Sequence, residues 1–172
     1  GGTAKQNKKA LVYVSAGTCN IAKNAVLQNN ANRVTGTAGA VYINEKASAS
    51  LSGGTITNCL GPTGAVYVSN KSTFTINDGT ISANTGADNG GAVKVLSGGT
   101  FNMNGGRLYR NNCFTEGGAV HNSGTFNMNG GTIEYNTSVK EGGGVRNKNK
   151  MTMSGGTIQN NSSSDEGGGI FS

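Results

Sequence analysis

Apolar and polar residues alternate along this chain in short runs. Phe126 and Met128 flank Asn127, Val120 follows Gly118-Ala119, and Ile133 comes two residues after the double glycine Gly130-Gly131. A period of two is strand periodicity. It sends Val120, Phe126, Met128 and Ile133 to one side and Thr125, Asn127, Asn129 and Thr132 to the other, because successive side chains in a strand face opposite ways. No stretch carries a helical period. Glycines separate the runs and predict bends, where a residue free to adopt positive φ or to let another backbone approach is needed.

The alternating unit recurs. The octapeptide GTFNMNGG stands at 99–106 and again, letter for letter, at 124–131. A Gly-Ala-Val marker ends at Val41, Val66, Val93, Val120, Val145 and Ile170, in steps of 25, 27, 27, 25 and 25 residues. The stretch around Val12-Tyr13-Val14 fits as a degenerate earlier copy at a step of 29. Short strands joined by glycine bends, repeating at this period with no helix between them, predict a single-stranded parallel β-helix of about seven coils, each 25–29 residues long. The general preference of parallel crossovers makes it right-handed. β-Propeller blades are longer, and the dense leucine pattern of leucine-rich repeats is missing.

Stacked at ~4.8 Å per coil, the chain predicts a rod roughly 30 Å long. Four columns fill its interior: Val41, Val66, Val93, Val120, Val145 and Ile170; Phe74, Phe101, Phe126 and Met151; Ile76, Met103, Met128 and Met153; and Ile56, Ile81, Leu108, Ile133 and Ile158. One coil cannot bury its own apolar face, which accounts for the repetition. Three residues after the last column comes another: Asn30, Cys59, Asn84, Asn111, Asn136 and Asn161. Its amides are expected to bond to one another along the rod, a structural role.

Composition narrows the picture further. The 172 residues include Gly 30, Pro 1 and Trp 0, and only 13% are charged. Such a balance would suit disorder, but periodic aliphatic positions argue for order. No apolar run approaches the ~20 residues of a membrane helix, and no charged-then-apolar leader opens the chain. One β-helix domain is expected over 1–172. Because it starts inside a repeat and closes on GGGIFS, it reads as a segment of a longer protein. Cys19, Cys59 and Cys113 have no metal-ligand spacing and read as small buried hydrophobes. A net charge of +6 without a basic stripe interleaved with aromatics does not suggest a nucleic-acid partner.

At GGAV, GGGV, GTFNMNGGTIEYN and MTMSGGTIQNN the chain resembles the GGTI/GGAV repeats of large bacterial cell-surface, adhesin-like β-helix proteins. More distantly it resembles the passenger repeats of chlamydial polymorphic outer-membrane proteins. Gly117-Gly118-Ala119-Val120 matches their first tetrapeptide motif, and Ile133-Glu134-Tyr135-Asn136 stands in place of their FxxN. The resemblance implies an exported protein of the bacterial cell surface, or a secreted one, involved in adhesion.

Function, if the interior is packed, must lie on outward columns. The first is Tyr13, Tyr42, Tyr67, Lys94, His121, Arg146 and Phe171, a strip whose aromatics and cations suit sugar rings or an acidic host protein, or which is an ordinary sheet face. The second is Glu116, Glu141 and Glu166, either solvated turns neutralised by Lys140 or Arg146, or weak candidates for holding Ca²⁺. The third is a flat array of hydroxyls and amides: Ser48, Ser50 and Ser52; Thr73, Thr75 and Asn77; Thr100, Asn102 and Asn104; Thr125, Asn127 and Asn129. His121, the single histidine, has no evident acidic partner on its own face. We therefore expect no enzyme and no cofactor, but a stalk or adhesin segment that binds glycans or host proteins. Two alternatives remain: a fibre subunit self-associating through open β-helix ends, and a polysaccharide-processing enzyme.

Overall fold

In the computed structural model, which describes residues 9–172, the chain is a right-handed, single-stranded parallel β-helix. Three sheets run along the rod, the five complete coils from Val41 to Ser163 contributing to all of them, and every pairing between strands is parallel. The first sheet has seven strands, in chain order Val12–Val14, Val41–Ile43, Val66–Val68, Val93–Val95, Val120–Asn122, Val145–Asn147 and Ile170–Phe171. Its register follows the marker residue by residue: Val12, Val41, Val66, Val93, Val120, Val145 and Ile170 pair in sequence.

The second sheet is the widest. It holds Ser48–Thr57 and Thr73–Ser82 as unbroken strands, and in later coils the same span is split, as in Thr125–Met128 and Thr132–Glu134. The double glycine falls in that split, so it bends one sheet and does not close a corner between two. Short pairs form the third sheet: Leu60–Gly61, Thr85–Gly86, Asn112–Cys113, Thr137–Ser138 and Ser162–Ser163.

The corner between second and third sheets is made by residues with side chains. Asn29, Asn58, Ala83, Arg110, Tyr135 and Asn160 all have φ between 51 and 59°. This left-handed conformation is unfavourable for most side chains and rare outside glycine and asparagine. Each of these residues directly precedes a member of the asparagine column, whose hydrogen bonds hold the turn in place. At the opposite corner the Gly-Gly of the marker is required twice over. Gly117 has φ 71°, and a Cβ on Gly118 would collide with the Gly143 carbonyl of the next coil and lie 2.6 Å from the Thr137 carbonyl oxygen.

The four expected columns are the core. Val41 to Val145, Phe74 to Phe126, Ile76 to Met128 and Ile56 to Ile133 are fully buried, while their last members, Ile170, Met151, Met153 and Ile158, are partly or largely open on the terminal coil. Phe74, Phe101 and Phe126 stack with ring centroids 5.7 and 4.8 Å apart. Burying one such side chain contributes about 1.5–3 kcal/mol relative to exposure. A fifth interior column runs through Val14, Ile43, Val68 and Val95 and changes to Asn122 and Asn147 in the later coils. There the Asn122 amide donates to Asn147 Oδ1 at 2.8 Å, which satisfies polar groups that the aliphatic coils do not have.

Candidate functional site

The buried asparagines make a continuous ladder. Asn84 Nδ2 donates to Asn111 Oδ1 at 3.0 Å, Asn111 Nδ2 to Asn136 Oδ1 at 3.0 Å, and Asn136 Nδ2 to Asn161 Oδ1 at 2.9 Å. Each Oδ1 also accepts the backbone N–H of the asparagine one coil earlier, and each Nδ2 donates its other hydrogen to a carbonyl of the preceding coil, as Asn111 does to Ile81 at 2.9 Å. Cys59 interrupts the series. Its backbone N–H still reaches Asn84 Oδ1 at 2.9 Å, but Asn30 turns its amide to the carbonyls of Lys9 and Gly39. From Asn84 to Asn161 the amides bond to one another along the rod, and Asn30, expected in the same ladder, does not join them.

Chemistry open to a partner has to come from elsewhere, and the strip on the first sheet's outer side is the richest place. Tyr13, Tyr42, Tyr67, Lys94, His121, Arg146 and Phe171 pair in unbroken register. However, the strip is not uniformly open. Tyr13 and Tyr42 stack at 5.0 Å with planes 7° apart, and Tyr42 and Tyr67 at 4.8 Å with planes 15° apart. Ring faces expected to meet sugars therefore meet one another. Tyr13 is 60% exposed while Tyr67 is only 8% exposed, so the free aromatic face is that of Tyr13. It borders a groove of about 570 Å³ lined by Leu11, Val34, Thr37 and Tyr42. Burial, with the neighbouring ring's charge added, raises the Tyr42 and Tyr67 hydroxyls above their ordinary values, so both stay protonated.

Further along, the strip becomes a knot of charges. His121 is 4% exposed, and Glu116 lies beside it, Oε2 to Nε2 at 3.5 Å, which corrects the expectation that it has no acidic neighbour. Glu116 precedes the marker glycines in the same coil, and the corner folds it back over the strand that carries His121. Neither imidazole nitrogen has an aligned hydrogen-bond partner. Burial, reinforced by Lys94 and Lys148, pushes the His121 pKa down to about 4, so the ring is neutral near pH 7. Glu116 also takes Lys148 Nζ at 2.7 Å and lies 3.6 Å from Arg146 Nε. Burial alone would raise the Glu116 carboxyl, but the bond and charge of Lys148, helped by Arg146, hold it below the usual carboxylate range.

Arg146 is the hub. Its Nε lies 2.9 Å from Glu141 Oε2, and its guanidinium covers the Phe171 ring at 4.4 Å. Thus Glu116 and Glu141 share one arginine on adjacent coils, which relieves the repulsion of stacked carboxylates. Lys140 and Glu166 form no ion pair among the described residues, and no group of three or more His, Cys, Asp or Glu side chains is gathered there for a metal. Lys94 stands between Tyr67 and His121, its pKa lowered by burial against the pull of Asp88.

The flat polar array is in register across the second sheet except at Ser52, which a register shift sets opposite Asp78 and not Asn77, and its amides are engaged with one another. Asn127 donates to Asn102 at 2.9 Å, Asn104 to Asn77 at 3.0 Å and Asn129 to Asn104 at 3.0 Å. A second cluster on this sheet escaped the sequence reading. Arg107 binds Glu134 at 2.6 Å and covers the Tyr109 ring at 3.8 Å, with Tyr135 edge-on to Tyr109 at 5.8 Å. The available signal was the departure of Arg107-Leu108-Tyr109 from the Thr-Ile pair that the other coils carry there. Cys59 and Cys113 are buried free thiols, and Cys19 is half-buried. No family model, no curated protein and no solved structure matches the chain.

Proposed function

We propose that the chain is a non-catalytic extracellular stalk or adhesin segment of a bacterial surface protein. On this reading its regular coils hold apart and present the first-sheet strip to a glycan or host protein. The observation that carries this is the distribution of variation. Interior columns, ladder and corners repeat from coil to coil, whereas the strip changes from stacked tyrosines to a knot of lysine, histidine, arginine and glutamate. Positions that packing does not dictate are where recognition has room to be written.

The ligand class follows from which groups remain free. Tyr13 offers one open ring face and Tyr42 an edge, and Lys94 brings positive charge three rungs further along the same strip. An acidic glycan or an acidic protein segment suits that combination, and the net charge of +6 favours its approach. The repeats' resemblance to adhesin-like surface proteins supports the same reading.

Glycan arrays and host-matrix binding measurements test it. Binding that weakens in a Tyr13→Ala/Lys94→Ala double variant, and with rising salt, is expected. If no acidic glycan or matrix protein binds, the recognition half is lost and a spacer remains. Product formation from polysaccharides, with or without Ca²⁺, would overturn the non-catalytic reading.

A further inference from the structure

On the outward side of the second sheet, neighbouring coils carry small polar residues at the same places. Arg107 stands in register with Thr80, Thr132 and Thr157, and Tyr109 with Ser82, Glu134 and Gln159. The corner residue that follows is Asn58, Ala83, Arg110, Tyr135 or Asn160, according to the coil. Two adjacent coils, flanked by others on both sides, therefore put large groups where their neighbours put hydroxyls and amides. We propose that Arg107, Tyr109, Arg110 and Tyr135 form a subsite for a carboxylate-bearing sugar unit of an acidic polysaccharide. It lies on a different sheet from the Tyr13 to Phe171 strip and does not depend on that strip binding anything.

The corner carries the first sign of a use. Arg110 and Tyr135 hold φ of 51 and 56°, a left-handed conformation that asparagine accepts more readily and that Asn58 and Asn160 occupy in other coils. Packing requires neither side chain, since both are exposed, Tyr135 by 48%. A backbone kept under strain to present exposed side chains points to a function for them.

The group is also held in place. Glu134 is buried with both carboxylate oxygens engaged: Oε1 accepts from Arg107 Nε at 2.6 Å and Oε2 from Gln159 Nε2 at 2.8 Å. Fixed in this way, Arg107 covers the Tyr109 ring at 3.8 Å, and the Arg110 guanidinium lies over the same ring at 4.9 Å. Tyr135 stands almost at right angles to Tyr109, their planes 84° apart and centroids 5.8 Å apart, so the two rings form a corner. Glu134 balances the charge of Arg107, whereas Arg110 has no ion pair among the described residues. One planar cation beside a half-open aromatic ring is left facing solvent.

That combination selects the ligand. A guanidinium meets a carboxylate through two parallel N–H···O bonds. An aromatic ring receives the C–H face of a pyranose as apolar surface. Thr80, Ser82 and Thr132, on the adjoining coils, offer hydroxyls to the sugar's own. A protein partner would need a desolvated apolar centre, and these strand neighbours are polar.

Backbone-amide NMR titration of the whole chain with a short oligogalacturonate, its methyl ester and a polyglutamate peptide of similar length tests the proposal. Oligogalacturonate should shift the amides of 107–110 and 134–135, and the uncharged ester and the peptide should bind at least about tenfold more weakly. Arg110→Asn and Tyr135→Asn give this corner the residue it has at Asn58 and Asn160. Each should weaken binding at least about tenfold while leaving the melting midpoint unchanged or higher, because function and stability oppose one another at a strained site. Shifts confined to Tyr13, Tyr42 and Lys94 would favour the first-sheet strip and overturn this subsite. Equal binding of the ester or the peptide, an affinity indifferent to both substitutions, or a midpoint that falls with them would each overturn it too.

Discussion

Replacing Asn111 with alanine isolates what one rung of the ladder contributes. The side chain is fully buried and takes part in four hydrogen bonds: to Asn136 Oδ1 at 3.0 Å, to the Ile81 carbonyl at 2.9 Å, and from the N–H and amide of Asn84 at 3.1 and 3.0 Å. Asn136 Oδ1 would keep the Asn111 backbone N–H, and the Asn84 amide would keep Ile56. The Asn84 backbone N–H would keep nothing. Net losses of about 1 kcal/mol per bond, with one donor orphaned in a dry interior, give a destabilisation of about 3–4 kcal/mol. At ~2–4 °C per kcal/mol for a chain of this size, the melting midpoint should fall by roughly 6–16 °C. Asn129→Ala is the control, because its amide lies in an exposed ladder where water replaces the lost partner, and it should cost under about 1 kcal/mol. Stacked coils can open separately, so amide hydrogen exchange at Asn84 should accompany the melts. If Asn111→Ala and Asn129→Ala melt together and Asn84 stays protected, the ladder is decoration and the reasoning fails.

Gly118→Ala should disrupt coil stacking and lower the midpoint by more than 10 °C or abolish folding, roughly the effect of several kcal/mol; Gly17→Ala, with φ 72° but open space around it, should lose only about 1 kcal/mol. Stability should also fall with pH, because His121 has a folded pKa of about 4 against 6.5 unfolded. The unfolded chain binds the proton first, so the loss begins near pH 6.5, grows to about 3 kcal/mol and levels off below pH 4. Glu116, whose carboxyl is also held low, adds to the decline at its acid end. His121→Gln should flatten that part of the stability profile, and a profile unchanged by the substitution would contradict the buried neutral ring. Cys59→Asn should restore the missing rung and raise the midpoint by a few degrees in a thermal melt, about 1 kcal/mol.

The coil, its period and its interior columns were legible because each is written many times over; Val41 through Ile170 state the same contact in six coils. Asn84, Asn111 and Asn136 were legible for the same reason. Corners were less so. Ala83, Arg110 and Tyr135 hold left-handed backbones that their own preferences oppose, and a tertiary network of asparagine bonds overrides them. The strip could be located from the sequence but its exposure could not. Tyr67 and His121 point away from the core yet are buried, since each is covered by the coils above and below and, for His121, by Glu116 folded back at the corner. Which long side chain lies over which neighbour depends on rotamers, and alternation does not encode those. The cluster of Arg107, Tyr109, Glu134 and Tyr135 escaped because it spans two coils with different letters.

The identical octapeptides at 99–106 and 124–131 lie directly over each other, Thr100 on Thr125 through Met103 on Met128. Excising any 25 residues that join a position in the first to its counterpart in the second therefore leaves the junction's local sequence unchanged. The neighbouring coils would meet through the same phenylalanines, methionines and asparagine rungs, and the rod would be shorter by one rung. Its length is thus adjustable in whole coils, and gain or loss of a repeat changes reach without demanding a new core.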